Sequence, residues 1–233
     1  MKYVLSLLMM MSGHAVLASA DYSVRIDDGG YRLKMNMIFS ADTTLGMIRQ
    51  GFKNSEILSQ LSPHVQSVTN TTADAGKYDS LMVVKSFGVS SELLSKCEEQ
   101  TAPSAWARSC QLQTDQKDGG HYMEWKNDEV SCKQQADGTK LCEFLIEGKA
   151  KPLTLLGIPL LDAKRFSVKA KYQAMGNFFK LYYFIHDGSL SARRALALFN
   201  QSPIHQQLDA FAEEASSALK KNSVYESSYS LGR

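Results

Sequence analysis

Residues 31–68 read YRLKMNMIFSADTTLGMIRQGFKNSEILSQLSPHVQSV, and this stretch does most to decide the fold. Its first nine residues alternate between apolar and polar side chains from Tyr31 to Phe39, which predicts a half-buried strand. Two short helical patterns follow at residues 42–53 and 55–61, with Asp42 and Ser55 as the expected caps. Pro63 ends the helix pair, and the next strand is expected from Val65.

The rest of the chain predicts more strands and then helices. Strands are expected at residues 22–26, 65–72, 77–87, 121–125, 129–134, 141–148, 166–174 and 178–185. Residues 166–174 alternate most regularly, and Gly176-Asn177 is expected to turn that strand into the next one. Residues 191–199 predict a helix, and Ser202-Pro203 predicts the start of a longer one, with apolar residues at helical spacing from Ile204 to Leu219. Residues 96–120 predict a loop with one or two short strands.

The four cysteines are expected to form two disulfides, because an even number of cysteines is typical of disulfide bonding in exported proteins, and the N-terminus predicts export. A three-residue hairpin loop with Gly138 in the left-handed conformation would place Gln135 opposite Thr139. Counting outward then puts Cys132 directly opposite Cys142, with Cα atoms about 4.5 Å apart. Cys97–Cys110 follows by elimination. A zinc site is the alternative, but neither CxxC spacing nor a nearby His supports it.

The N-terminus predicts a cleavable signal peptide over residues 1–20. Lys2 precedes an apolar run, and Ala18-Ser19-Ala20 suits a signal peptidase. A membrane anchor is the alternative, but the apolar run is shorter than a spanning helix and contains Gly13 and His14. We therefore expect a periplasmic or secreted protein. The net charge of +2 gives no electrostatic argument for binding nucleic acid or an anionic membrane surface.

With these residues, the order of elements resembles the START-like (SRPBCC) superfamily, which has the helix-grip fold of polyketide cyclases and coenzyme Q-binding START-type proteins. The matching stretches are residues 31–68, residues 165–188 (RFSVKAKYQAMGNFFKLYYFIHDG) and the final helix. The resemblance implies an α+β domain in which a curved antiparallel sheet wraps around a long C-terminal helix. The open half-barrel of periplasmic lipoprotein carriers is the alternative fold.

The resemblance also implies the domain limits. One START-like domain is expected over residues 21–223, followed by a flexible tail at residues 224–233. Residues 96–135 depart from the family pattern, and we interpret them as an elaboration that the disulfides staple.

A helix-grip fold can leave an apolar cavity between sheet and helix. The expected lining residues lie on the strands and on the last helix: Met35, Met37, Phe39, Met82, Phe144, Ile146, Val168, Tyr172, Phe184, Leu208, Phe211 and Ala215. The alternative is that these residues simply fill a core. Residues 152–161 (PLTLLGIPLL) form an unusually apolar loop, which is interpreted either as a flap that contacts a membrane transiently or as a buried strand extension.

The sequence contains no metal-ligand spacing, nucleotide-binding motif or catalytic triad signature, so no cofactor is expected. The leading hypothesis is a non-catalytic carrier of a hydrophobic molecule such as a lipid, a quinone or an isoprenoid. A cyclase or aromatase is the second, and it requires Tyr172, Tyr182 or His186 to converge inside the cavity. A protein-interaction module around Trp106 and Trp125 is the third.

Overall fold

The computed structural model of the protein describes residues 19–27, 30–86, 89–113, 123–150, 154–155, 158–159, 163–186, 191–221 and 224–231. Nearly all of the predicted signal peptide lies outside these ranges, as do the side chains of the apolar loop at residues 152–161. None of the helices in the described ranges is long and apolar enough to cross a membrane.

Nine strands form one antiparallel sheet in the order β11-β1-β2-β8-β7-β6-β5-β4-β3. Their bounds are β1 Ser19–Ile26, β2 Tyr31–Phe39, β3 Val65–Asp74, β4 Lys77–Ser86, β5 Val89–Ala102, β6 Ala105–Leu112, β7 Met123–Gln134, β8 Lys140–Ala150 and β11 Tyr225–Leu231. A separate pair, β9 Thr154–Leu155 and β10 Ile158–Pro159, links β8 to the helices. The sequence predicted the strands around residues 31–39, 65–72, 77–87 and 141–148 correctly.

Five helices accompany the sheet: α1 Leu45–Lys53, α2 Ser55–Leu61, α3 Ala163–His186, α4 Ala192–Gln201 and α5 Pro203–Lys220. In β2, alternate residues from Tyr31 to Phe39 are buried and face the helices, because side chains of a strand point to opposite sides. Helix α3 packs on β2 and β8 in the middle of this face. The hydrophobic core lies between them.

The two strands predicted at residues 166–174 and 178–185 are wrong, because these residues form the single helix α3. Val168, Met175, Phe179 and Tyr182 are buried at helical spacing, so the period of 3.6 determines the structure rather than the apparent alternation. Gly176 continues the helix instead of turning it. Its missing side chain lets α4 approach, since a Cβ there would lie 3.3 Å from Cζ of Phe199.

The predicted helix-grip arrangement is confirmed, and α3 rather than the last helix lies at the centre of the sheet. Helix α5 packs on α3 and on β11. The predicted flexible tail is also not what the structure has, because β11 pairs with β1 from Ile26↔Tyr225 to Ala20↔Leu231. Tyr225 packs edge-on against Phe211, with 5.0 Å between the ring centroids. This aromatic contact holds β11 against α5.

The middle of the chain forms strands of the sheet, where the sequence predicted mainly a loop. Residues predicted as a loop form the long strands β5 and β6, joined by a tight turn at residues 103–104. Both predicted disulfides are confirmed: Cys97–Cys110 joins β5 to β6 and Cys132–Cys142 joins β7 to β8, each between directly opposed residues. Gly138 has a φ of +85°, and Gln135 N–H donates to the Thr139 carbonyl, as the hairpin argument predicted.

Two of the predicted helix caps are displaced by one or two residues. Thr44, not Asp42, caps α1, and Asn54, not Ser55, caps α2. Asn54 Oδ1 accepts a hydrogen bond from the Ile57 N–H, while its own N–H closes the end of α1. Ser202 caps α5 with Pro203 at the first helical position, as predicted.

Candidate ligand-binding site

A cavity of about 180 Å³ lies between helices α1 to α3 and the half of the sheet that contains β3 to β6, and it opens to solvent. Most of its lining is apolar. The residues that line it are Phe52, Leu58, Leu61, Ser62, Val65, Val68, Asn70, Ser80, Met82, Leu93, Ser95, Cys97, Arg108, Cys110, Leu112, Asp128, Ile146, Ala174, Asn177, Phe178 and Leu181.

Of the residues predicted to line a cavity, Met82 and Ile146 do so. The other predicted residues of the sheet lie in the core beneath α3, where each is at most 2% exposed: Met35, Met37, Phe39 and Phe144. The predicted site lay in the centre of the sheet, whereas the cavity lies toward the β3 edge. The helix that fills the centre is α3, which the sequence analysis read as strands.

The remaining predicted residues pack between the helices. Val168 on α3 is buried, and so are Leu208, Phe211 and Ala215 on α5. Tyr172 and Phe184 are half-buried at the margin of the core. These side chains take part in helix packing, and none of them lines the cavity.

The polar part of the cavity is the ion pair between Arg108 on β6 and Asp128 on β7. Nη2 of Arg108 donates to Oδ2 of Asp128 over 2.8 Å, and the two side chains are only 10% and 17% exposed. The strand register explains their meeting, because Asp128 lies opposite Cys110, two residues along β6 from Arg108. All three face the helices, since residues two apart on a strand share a face.

The environment of Arg108 keeps its guanidinium charged. Burial alone lowers the pKa of Arg108, but Asp128 and Tyr78 outweigh it, so the net shift is upward. The guanidinium carbon also lies 5.1 Å from the centroid of the Phe52 ring on α1, at a distance typical of cation–π contacts. The cavity thus presents a fixed positive charge beside a carboxylate.

The ion pair leaves a donor and an acceptor unused. Nε of Arg108 and Oδ1 of Asp128 are both buried without a hydrogen-bond partner among the described residues. The Tyr31 hydroxyl is buried and unpaired as well, and its pKa is raised first by burial and then by the negative charge of Asp128. Buried polar atoms normally have partners, so the Arg108–Asp128 pair keeps unused hydrogen-bonding capacity beside the cavity, at atoms that are covered in this structure, whereas Tyr31 does not line the cavity.

A second ion cluster fixes α1 above this end of the cavity. Glu99 on β5 is 1% exposed, and its Oε2 receives Nη2 of Arg49 at 2.9 Å and Nζ of Lys53 at 2.7 Å. Lys53 Nζ also lies 4.6 Å from the centroid of the Tyr78 ring. These contacts tie both cations of α1 to the sheet and so hold Phe52 over Arg108.

The wall of the cavity combines a disulfide with small polar side chains. Cys97 and Cys110 line it, and Cys110 lies directly opposite Asp128 on the neighbouring strand. Asn70, Ser80 and Ser95 form a row across β3, β4 and β5. The cavity is therefore apolar with a polar stripe, rather than uniformly apolar as the sequence predicted.

The three residues proposed for catalysis do not converge inside the cavity. The Tyr172 hydroxyl donates to Asp209 of α5, and the Tyr182 hydroxyl donates to the carbonyl of Ile38. His186 stacks on Tyr182, with 5.4 Å between the ring centroids. None of these three lines the cavity.

Two further expectations concern partners and metals. Trp106 is 1% exposed, so it does not contribute to an exposed patch, and the side chain of Trp125 lies outside the described part. Within the described ranges, no three His, Cys, Asp or Glu side chains come together as a metal site requires.

The sequence analysis missed Arg108 and Asp128, although β6 contains a signal that points to Arg108. Trp106, Arg108 and Cys110 alternate along one strand and therefore share a face. A charged residue between a tryptophan and a disulfide-bonded cysteine is a candidate for a buried polar site. Asp128 carries no comparable local signal.

No protein-family model and no curated protein sequence matches the chain. Solved structures resemble it in fold. Human STARD10 superposes with a TM-score of 0.51 at 10% sequence identity, over 76% of this chain and 74% of that one. The human StarD13 (DLC2) lipid transfer and protein localization domain gives 0.43 at 10% identity, over 74% and 78%. With α3 gripped by the antiparallel sheet and a short helix pair after β2, the chain has a START-like fold, similar to that of STARD10.

Proposed function

We propose that this protein binds a small hydrophobic molecule that carries one neutral polar group, and that it acts as a carrier or sensor of that molecule. The observation that carries the proposal is the Arg108–Asp128 pair in the wall of a largely apolar cavity, with one donor and one acceptor unused. Apolar pockets with a few convergent polar groups are the usual form of small-molecule sites.

The chemistry of the pair favours a hydroxyl group on the ligand. A hydroxyl can accept from Arg108 Nε and donate to Asp128 Oδ1, which supplies both missing hydrogen bonds once a small shift of these side chains uncovers the two buried atoms to the cavity. A carboxylate or phosphate would be attracted to Arg108 but repelled by Asp128. A quinone oxygen could accept from Arg108, but it has no proton to donate to Asp128.

The size of the cavity bears on the ligand too. About 180 Å³ lies below the roughly 300–1,000 Å³ of typical ligand sites, so it suits a ring system or a short chain rather than a complete two-chain lipid. A longer molecule would extend through the opening or require α2 to move. We therefore place lipid alcohols and isoprenoid alcohols first among the candidate ligands.

The same proposal locates the protein outside the cytoplasm. Two disulfides fit an extracellular or otherwise oxidising compartment. The sequence of residues 1–20 has the pattern of a signal peptide, which supports this location. Catalysis is not part of the proposal, because the tyrosines and histidine that an enzyme was expected to use lie away from the cavity.

Competition with a fluorescent apolar probe tests the proposed ligand class. N-phenylnaphthylamine would be bound first, and octanol, octanoate and octylamine would then compete as chains of equal length with different end groups. We expect octanol to displace the probe at a concentration about tenfold lower than either charged chain, which corresponds to about 1.4 kcal/mol.

A double variant provides the control. Arg108→Met with Asp128→Leu replaces the whole pair by apolar side chains of similar size, which avoids the uncompensated charge that a single replacement leaves. This variant should still bind the probe and lose the preference for octanol. Equal competition by the three chains in the unchanged protein, or an unchanged preference in the double variant, would refute the role of the pair.

A further inference from the structure

Lys171 is the most unusual ionisable residue in the described part of the chain. It lies in the first half of α3 with no exposed surface, and its Nζ has no hydrogen-bond partner among the described residues. The ring of Phe211 on α5 covers the amine, with its centroid 2.8 Å from Nζ. Because lysines are almost never fully buried unless paired, this position requires a neutral amine.

The charged groups of α5 are engaged elsewhere. Asp209 accepts from the Tyr172 hydroxyl and lies 3.5 Å from Nδ1 of His205, and its side chain is 60% exposed. Glu213 is exposed on the same helix. Burial is the only cause that lowers the pKa of Lys171, to about 6, so no carboxylate of the described residues compensates its charge.

The other elements near α3 and α5 offer no counter-charge either. Glu214 accepts from the Tyr225 hydroxyl at the α5–β11 contact. The titratable groups that β1, β2 and β11 turn toward the helices are tyrosines, namely Tyr22, Tyr31, Tyr225 and Tyr229. The cations of α1 are bound to Glu99, and the two arginines of α4, Arg193 and Arg194, are exposed.

We propose that Lys171 makes the contact between α3 and the C-terminal unit of α5 and β11 responsive to pH, so that proton uptake by its amine favours a state in which this unit has moved away and water reaches α3. An ammonium ion is attracted to a ring face, but one such contact does not replace the hydrogen bonds that water provides. This inference does not depend on a ligand in the cavity.

The direction of the response follows from the two states. In the closed state the pKa of Lys171 is about 6, whereas a water-exposed lysine has its ordinary value of 10.5. Between these values, opening takes up one proton, so the ratio of open to closed molecules rises about tenfold for each unit by which the pH falls. Below about pH 6 both states are protonated, and the ratio stops changing.

Hydrogen–deuterium exchange of the full chain at pH 6.5 and pH 8.5, corrected for the intrinsic exchange rates, measures this opening. We expect the amides of α5 and β11 to lose protection roughly 100-fold at the lower pH, because the two conditions differ by two units within the titration window. Lys171→Met should keep the same protection at both pH values. Lys169→Met, at an exposed position of the same helix, should behave as the unchanged protein does.

Two outcomes would overturn the proposal. One is that the hydrogen-exchange protection of α5 changes with pH to the same extent in Lys171→Met as in the unchanged protein. The other is a parallel loss in β7 and β8, since this would mean that the whole molecule unfolds rather than the C-terminal unit alone. His205 lies on α5, 3.5 Å from Asp209, so a His205→Gln variant is a further control and should retain the response; a variant that loses it would assign the effect to His205 instead.

Discussion

Gly148 on β8 is a residue at which the sheet tolerates little change. It lies opposite Tyr31 of β2, and a Cβ at this position would be 2.7 Å from Cζ of the Tyr31 ring. Tyr31 is 5% exposed and has no room to move aside freely. Gly148→Ala should therefore lower the free energy of unfolding by roughly 1–3 kcal/mol, as overpacking does in other cores. Urea denaturation measures the change.

Gly46 provides a matched control for this substitution. A Cβ there meets only Thr44 Oγ1, at 3.7 Å, so alanine fits in the first turn of α1. Gly46→Ala should leave stability unchanged or raise it by about 0.5–1 kcal/mol, because alanine has the higher helix propensity. Equal stability of the two alanine variants would show that Tyr31 can shift without cost.

Single residues also show how much of the candidate site the sequence could predict. Met82 and Ile146 were identifiable because their strands are locally regular and their apolar side chains point inward. The pairing of Arg108 with Asp128 was not identifiable, because an ion pair between two strands depends on their register. Register is set by pairing partners far apart in the chain, and a local pattern does not contain it.

Among the elements, α3 shows most clearly where local pattern fails. Residues 166–174 fit a period of two as well as a period of 3.6, and only the full length of 24 residues separates the two readings. Lys171 favoured the prediction of a strand, because it fits the polar positions of the alternating pattern and a lysine is unexpected at a core position of a helix. The residue that misled the prediction is thus the one whose burial is unusual.

The helix pair was predicted well, and its caps provide a test at the level of elements. Asn54 Oδ1 accepts from the Ile57 N–H at 3.1 Å, whereas Ser55 is already inside α2. Asn54→Ala should lower the free energy of unfolding by about 1 kcal/mol, the usual cost of losing an N-cap. Because Leu58 and Leu61 of α2 line the cavity, the affinity for N-phenylnaphthylamine should fall as well.

Ser55→Ala distinguishes the two cap assignments. It should change stability by less than about 0.5 kcal/mol, as most surface substitutions do. A larger loss of unfolding free energy for Ser55→Ala than for Asn54→Ala would show that Ser55 is the N-cap of α2, as the sequence predicted. Denaturant titration of both variants under identical conditions makes the comparison.

For the whole molecule, the order of elements was enough to predict the class of fold, but not which helix occupies its centre. A strand, two helices, antiparallel strands and a final helical region are compatible with either α3 or α5 beneath the sheet. Which helix lies at the centre depends on β11. This strand pairs with β1 at the edge of the sheet and packs against α5, which also packs on α3. The residues of β11 are polar and carry only weak local signals for a strand.

Removal of residues 224–233 tests the structural role of β11. Tyr229 packs on Tyr22 with 5.5 Å between the ring centroids, and its hydroxyl accepts from Gln207 of α5. Tyr225 covers Phe211 in the same way. Losing two half-buried tyrosines should cost roughly 2–3 kcal/mol, on the scale of 1.5–3 kcal/mol for a fully buried large apolar side chain. The truncation also exposes the unpaired edge of β1, so self-association is expected and can be measured by size-exclusion chromatography.

Tyr229→Ser with Tyr225→Ser separates the two effects, because it removes the rings and keeps the strand. This double variant should lose a similar amount of stability and remain monomeric, since the edge of β1 stays paired. A truncated chain as stable and as monomeric as the full one would mean that β11 contributes nothing, as expected of a flexible tail. In that case α5 would be held by α3 alone, and the pH response of the C-terminal unit should be sought in α5 without β11.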